Sequence, residues 1–156
     1  MLMSEHLDAA IGLAWAVLAD RAAAEDAVQE AMVRAWRALP QLRDRARLHP
    51  WLLQIVANEA RRVGRQRARE RWLPWTLVSS PPQRWPDDLE GRADVRAVIA
   101  SLSRRDREIL VVRYFLDMPV EEAAHFLGVS IPAVKARSVR AAVRLREALR
   151  KREERQ

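Results

Sequence analysis

The sequence contains no cysteine. Disulfides, thiolate catalysis and cysteine-ligated zinc are therefore excluded. Its three histidines, His6, His49 and His125, are scattered and form a poor metal set. No nucleophile–base pair or phosphate-cradling glycine loop is evident. An enzyme is thus the least favoured reading, and no catalytic residue, cofactor or metal site is assigned. Glycine is scarce, at four residues of 156, and β-branched alternation is absent. Lysine is nearly missing: Lys135 and Lys151 are the only two. No apolar run is long enough to span a bilayer. The start, "MLMSEHLDAA", lacks the basic region and apolar core of a signal peptide. A cytoplasmic location is expected.

What is present is arginine. The formal charge is +7 and the pI about 11.1, which points to nucleic acid or another anionic partner. Arginine suits phosphate because its guanidinium grips two oxygens at once. The apolar fraction is 49%, enough to fold most of the chain. Apolar spacing follows helical periods nearly throughout, so the expected fold is all-α. Helices are predicted near 5–19, 22–39, 50–70, 93–101, 104–116, 120–127 and 131–150. Asp20 should cap the second, Pro50 suits the first turn of the third, and Ser103 with Asp106 resembles a capping box. The segment "RWLPWTLVSSPPQRWPDDLEGR", 71–92, holds Pro74, Pro81, Pro82 and Pro86 and cannot be one helix. It reads as a linker between two small helical domains, 1–70 and 93–156. Extended, it would reach up to ~70 Å, or roughly two turns of B-DNA at ~34 Å each. Trp72, Trp75 and Trp85 are odd for a free tether and are expected to dock on something.

In the third helix, "PWLLQIVANEARRVGRQRARER", Asn58, Arg61, Arg62, Arg65 and Arg69 share one face at about 100° per residue. Leu52, Val56, Ala60 and Val63 lie roughly opposite. Arginines reach phosphates and guanine edges, and an asparagine can read adenine. Trp51 is expected to pack rather than to contact a base. The preceding loop, "PQLRDRARLHP", adds Arg43, Arg45 and Arg47 and could hold an unstacked base. A solvated basic face is the plain alternative.

The C-terminal half is more specific. In "VEEAAHFLGVSIPAVKARSVRAAVRLREAL", Ala124 allows two helices to approach and Gly128 suits a tight turn four residues later. Val129 and Val134 supply contacts across the unit, which is helix-turn-helix spacing. Ser130 can cap the second helix. Ala133, Arg137, Arg140 and Arg144 make a stripe down it; Val134, Ser138, Leu145 and Leu149 make the stripe that faces the core. Lys135 lies off the arginine stripe near the helix start.

One helix breaks the basic pattern. In "AEDAVQEAMVRAW", 24–36, Asp26, Gln29, Glu30, Val33 and Arg37 share a face. Val28, Ala31, Met32, Ala35 and Leu39 share the buried one, with Trp36 at its border. Glu30 can pair with Arg34 at i,i+4. An apolar Val33 between polar neighbours is what a protein interface with a dry centre and polar rim requires.

Together these segments resemble the extracytoplasmic-function (group IV) sigma factors of bacterial RNA polymerase. "AEDAVQEAMVRAW" and "PWLLQIVANEARR" are similar to the region-two signature. "LSRRDREILVVRYFLDMPVEEAAHFLGVSIPAVKARSVRAAVRLREAL" is similar to region four. The resemblance implies that region two grips the polymerase clamp helices and reads and melts the minus-ten element, while region four rests on the flap and reads the minus-thirty-five element. It places Asp26, Gln29 and Glu30 at the polymerase contact, and Val33 on the same face is assigned with them. Arg45 and Arg47 of the 41–50 loop and Asn58 go to the minus-ten element, with Arg61, Arg62 and Arg65 added from their place on the stripe. Lys135, Arg137 and Arg140 go to the minus-thirty-five element, and Ser130, Ala136 and Arg144 are assigned beside them. It also implies core RNA polymerase, promoter DNA and an anti-sigma protein as partners.

The chain departs from the family pattern at several points. Its N-terminus is short, which predicts a reduced first helix. Pro132-Ala133 stands where glycine-threonine is usual, Ala136 where serine is usual, and Ala123 where a larger aliphatic is usual. These changes predict an altered minus-thirty-five preference. Two further readings stay open: a stand-alone helix-turn-helix regulator, and an RNA-binding protein.

Overall fold

The computed structural model describes residues 2–70 and 93–155; the linker tryptophans and prolines lie outside them. The chain divides into two compact units, 1–83 and 84–156. Among the described residues every element is helical.

In the first unit α1 (Leu2–Leu18), α2 (Arg21–Ala38) and α3 (Leu48–Glu70) each pack on the other two. The first helix, α1, runs for 17 residues. The core is built largely from small side chains. Ala14, Ala24, Ala31, Ala57 and Ala60 are each fully buried beside Leu13, Leu53 and Val56. Alanine costs little side-chain entropy on burial and lets helix axes approach closely. Short 3-10 turns at Leu39–Gln41 and Arg45–Arg47 carry the chain from α2 to α3.

The corner between α1 and α2 is sharp. Ala19 takes a left-handed conformation, φ 51°, with its N–H donating to Trp15 O at 2.7 Å. Asp20 then caps α2 as expected: Oδ1 accepts from Ala23 N at 3.1 Å. Its other oxygen accepts from Arg67 Nη2 at 2.9 Å, tying the start of α2 to α3. Burial alone would raise the Asp20 carboxyl. The Ala23 N–H and the Arg67 guanidinium outweigh it and hold the group below the usual carboxylate range.

The second tie is a buried carboxylate that periodicity does not flag. Glu59 is 1% exposed. Its Oε1 accepts from Arg62 Nε at 2.9 Å and Nη2 at 2.5 Å. Its Oε2 lies 3.0 Å from Arg34 Nη1 on α2. Arg34 is therefore drawn across to α3, instead of back along its own helix to Glu30 as expected.

The second unit contains α4 (Ala93–Ser101), α5 (Arg104–Leu110), α6 (Val120–Leu127) and α7 (Ile131–Glu153). The single helix expected over 104–116 is not uniform. At Val111 it widens into a π-helical turn, Val111–Phe115. Leu116 N donates to Val111 O at 2.8 Å, and the Arg113 guanidinium donates to Met118 O. The wider turn leaves Val111 and Val112 buried while Tyr114 and Phe115 are exposed. Asp117 then reverses the chain at φ 51°.

Ser103 caps α5, its Oγ accepting from Asp106 N at 3.2 Å. The capping box forms in this arm. The Asp106 carboxylate, 7% exposed, instead receives Arg144 Nη1 at 2.9 Å on both oxygens, joining α5 to α7. Arg107 is buried, and that burial pulls its pKa below the ordinary arginine value. It donates to Leu102 O at 2.6 Å and Ala100 O at 3.4 Å, satisfying carbonyls that the end of α4 leaves open.

The turn between α6 and α7 forms as the spacing requires. Gly128 sits at φ 66°, ψ 35°. Val129 N donates to Ala124 O at 3.0 Å and Gly128 N to His125 O at 3.3 Å, the paired bonds of a Schellman ending. Ser130 Oγ accepts from Ala133 N at 3.2 Å and caps α7. Ala123 is fully buried.

Two stability predictions follow from the Ala19–Asp20 corner. A left-handed L-residue costs about 1–2 kcal/mol, and glycine gives back part of this through unfolded-chain entropy. Ala19→Gly should therefore raise urea-unfolding stability by about 0.5–1 kcal/mol. Asp20→Asn keeps a capping oxygen but loses the charge facing Arg67, at a cost of roughly 0.5–1 kcal/mol at neutral pH. A lowered carboxyl contributes fully above its unfolded value of 3.8 and loses that contribution as pH falls through its lower folded value. Urea midpoints measured across the acid range should converge for the two proteins below that window.

Candidate nucleic-acid and protein interfaces

The outer face of α2 carries Asp26, Gln29, Glu30 and Val33, all exposed. The same surface includes a residue the periodicity placed at the border of the buried side. Trp36 is 78% exposed. It follows Val33 by three residues, so the two stand on adjacent turns. The apolar centre of this face is an indole plus an isopropyl group, larger than Val33 alone. Asp26 and Glu30 border a crevice against α3, whose far wall includes Glu59, Arg62 and Val63.

On α3, Asn58 and Arg65 are exposed and Arg61 half-buried. Gln54 Nε2 donates to Asn58 Oδ1 at 3.4 Å, leaving the amide on the surface. Arg62 stands apart from the others. Its hydrogen bond and attraction to Glu59, with a further attraction from Glu30, raise its pKa beyond the ordinary arginine value. Its guanidinium faces the carboxylates at the α2–α3 seam, so it is less available to a nucleic acid than Arg65. Trp51 is half-buried. Arg45 and Arg47 lie exposed on the 3-10 turn before α3. That turn is fixed by Asp44, whose Oδ1 accepts from Ala46 N at 3.0 Å. At the start of α3 the His49 ring rests against His6 of α1, centroids 4.6 Å apart and planes 34° apart. This contact ties the end of the basic loop to the bundle.

On α7, Val134, Ser138 and Ala141 are buried, and Ser138 Oγ donates to Val134 O at 2.7 Å. Lys135, Ala136 and Arg140 are exposed, while Arg137 is half-buried. Arg144 is engaged by Asp106, so the lower end of the arginine stripe is occupied in holding the unit together. The surface of α7 farthest from the core is instead apolar: Val139 is 64% exposed and Val143 44%.

A helix-turn-helix with a basic second helix sits in one unit, and a three-helix bundle with one basic and one acidic–apolar face in the other. Comparison with known proteins matches this division. Residues 2–70 match the family model for Sigma-70 region 2, and 92–145 match that for Sigma-70, region 4. A probable RNA polymerase sigma factor, RfaY of Xanthomonas campestris, is 34% identical over 88% of this chain, which spans 36% of that relative's length. The RNA polymerase sigma factor NccH of Alcaligenes xylosoxydans is 31% identical over 78% of this chain and 70% of its own length. Among solved structures, the sigma factor RpoE in complex with the anti-sigma factor NepR from Bartonella quintana matches at 28% identity with TM-score 0.78. That match covers 95% of this chain and 94% of RpoE. CnrH, solved with the cytosolic domain of CnrY, matches at 27% identity with TM-score 0.65, over 96% and 86% of the two chains. With a bundle and a helix-turn-helix each matching its own sigma region, in order, the chain belongs to the sigma-70 family of RNA polymerase sigma factors, in its extracytoplasmic-function branch.

Proposed function

We propose that this chain works in the cytoplasm as an alternative sigma factor, without catalytic chemistry of its own. It binds core RNA polymerase through the outer face of α2 and brings it to promoters read by α3 and α7. The observation that carries this reading is the sorting of surface chemistry. In a chain of charge +7, α2 presents Asp26, Gln29 and Glu30 around exposed Val33 and Trp36. That face repels phosphate and offers a dry centre with a polar rim, which is protein-interface chemistry.

The promoter work divides between the units. Segment 1–70 takes the minus-ten element, with Asn58 reading a base edge and Arg45, Arg47, Arg61 and Arg65 holding the backbone. Arg62 acts chiefly through Glu59. Segment 93–156 takes the minus-thirty-five element. There Ser130 presents the capped start of α7, and Lys135, Arg137 and Arg140 supply charge beside Ala136. Arg144 steadies the helix that carries them. The stretch 71–92 links the two. The RpoE–NepR complex supports an anti-sigma protein as a further partner.

Transcription in vitro with core polymerase tests the whole reading. Promoter-dependent start sites are expected on a broad genomic template. A stand-alone regulator would give none and would not bind core polymerase in the absence of DNA. Asp26→Arg should weaken core binding at least about tenfold by placing a cation on a face meant for a protein partner. Binding of the free chain to a minus-thirty-five duplex should be unchanged. Equal core affinity for the two proteins would remove α2 from the polymerase contact. The free chain's affinity for DNA should fall with salt, at a slope of about −0.9 per phosphate neutralised.

A further inference from the structure

The side of α7 opposite its core is a line of apolar residues: Pro132, Ala136, Val139 and Val143, all exposed. Spaced i, i+4, i+7 and i+11, they fall within an arc of about 60° at 100° per residue. The buried residues Val134, Ser138 and Ala141 centre about 180° away. Exposed cations flank the line on both edges, Lys135 and Arg146 on one side and Arg140 on the other. A merely solvated face gives no reason for isopropyl groups at its centre with charge at its margins. Along the turns that hold Pro132, Ala136 and Val139 the flanking charges, Lys135 and Arg140, are both cations; the acid on this side, Glu147, comes about two turns after Val139.

The major groove has this same cross-section. Phosphates run along both rims, and the apolar group on its floor is the C5 methyl of thymine. A helix entering the groove by its first turns places Val139 about 12 Å from its start, at 1.5 Å per residue. That is about the groove's width, so Val139 is the last residue of the line that the groove can hold, and Val143, about 6 Å further on, lies outside it. We propose that Val139, with Ala136 beside it, reads a thymine methyl in the minus-thirty-five element. The helix thus selects by apolar contact where Ala133 and Ala136 supply no hydroxyl. This rests on the sigma-factor reading above.

The test uses the full chain with core polymerase. Minus-thirty-five elements are selected from a random library, and each thymine is then replaced by deoxyuridine, which removes only the methyl. At one position this should lower open-complex formation about fourfold, the factor that burial of one CH₂-sized group corresponds to. Val139→Ala, exposed and helix-compatible, should abolish the thymine-to-uracil ratio there and preserve the other base preferences. Equal output from thymine and uracil templates at every position overturns the proposal, as do selected elements without thymine. Weakened core-polymerase binding by Val139→Ala, with the ratio intact, makes the stripe a protein contact and also overturns it. No promoter-dependent initiation by the native chain removes the sigma-factor reading and this proposal together.

Discussion

The buried carboxylate of Glu59 is the constraint on which the first unit depends. A carboxylate at 1% exposure costs several kcal/mol to desolvate unless cations meet it. Two do: Arg34 from the neighbouring α2 and Arg62 from α3 itself. Each guanidinium keeps about half its surface in water, so the pair of cations is not itself stranded. The alanine-rich core beside them supplies close packing but little shape to fix one register, since small side chains interlock weakly. The charge triad adds directionality, because only one rotation of α2 against α3 brings Arg34 to Oε2 while Arg62 holds Oε1.

The second unit solves its own version of the problem. Asp106 is nearly buried and is met by Arg144 from α7. Arg107 turns inward to close the carbonyls of α4. In both units some arginines of a basic chain are committed to internal carboxylates or carbonyls. This separates two populations that the sequence alone presents as one. Arg62, Arg67, Arg107 and Arg144 hold helices together. Arg45, Arg47, Arg65 and Arg140 stand in solvent, where their charge is available to phosphate.

That division explains what was legible beforehand. Features fixed by neighbours in sequence could be read: Asp20, Ser103 and Ser130 as caps, Gly128 as the left-handed turn, the helical periods, and the order of the two units. Features set by other helices could not. Glu30 and Arg34 have the right spacing to pair, but Glu59 competes from α3 and wins because its charge is buried. Helical periodicity sets Trp36 at the border of the buried face. The indole stands 78% exposed, an outcome its angle on the helix does not foretell. The π-helical turn at Val111–Phe115 carries no composition signal, because it depends on where Asp117 and Met118 must go. On α7 the spacing of Val134 and Ser138 marks the core face, and both are buried; the arginine stripe lies about 90° from that face at 100° per residue, not opposite it. The apolar line then proves to be the outermost one.

The placement of Glu59 also bears on how a sigma factor of this kind joins its tasks. On the proposed reading, the polymerase contact lies on the outer face of α2 and the minus-ten contact on α3 and the turn before it. Arg34 follows Val33 directly, and Arg62 follows Asn58 by one helical turn. Both end on the same carboxylate. A load applied to α2 is therefore carried to α3 through two charge-assisted contacts as well as through the alanine core, and Arg67 with Asp20 closes the same seam at its other end. Such a seam resists sliding of α2 along α3, because sliding would expose an unpaired buried charge. The bundle is thus suited to hold the promoter-reading side chains at a fixed offset from the polymerase, which melting a chosen base pair requires.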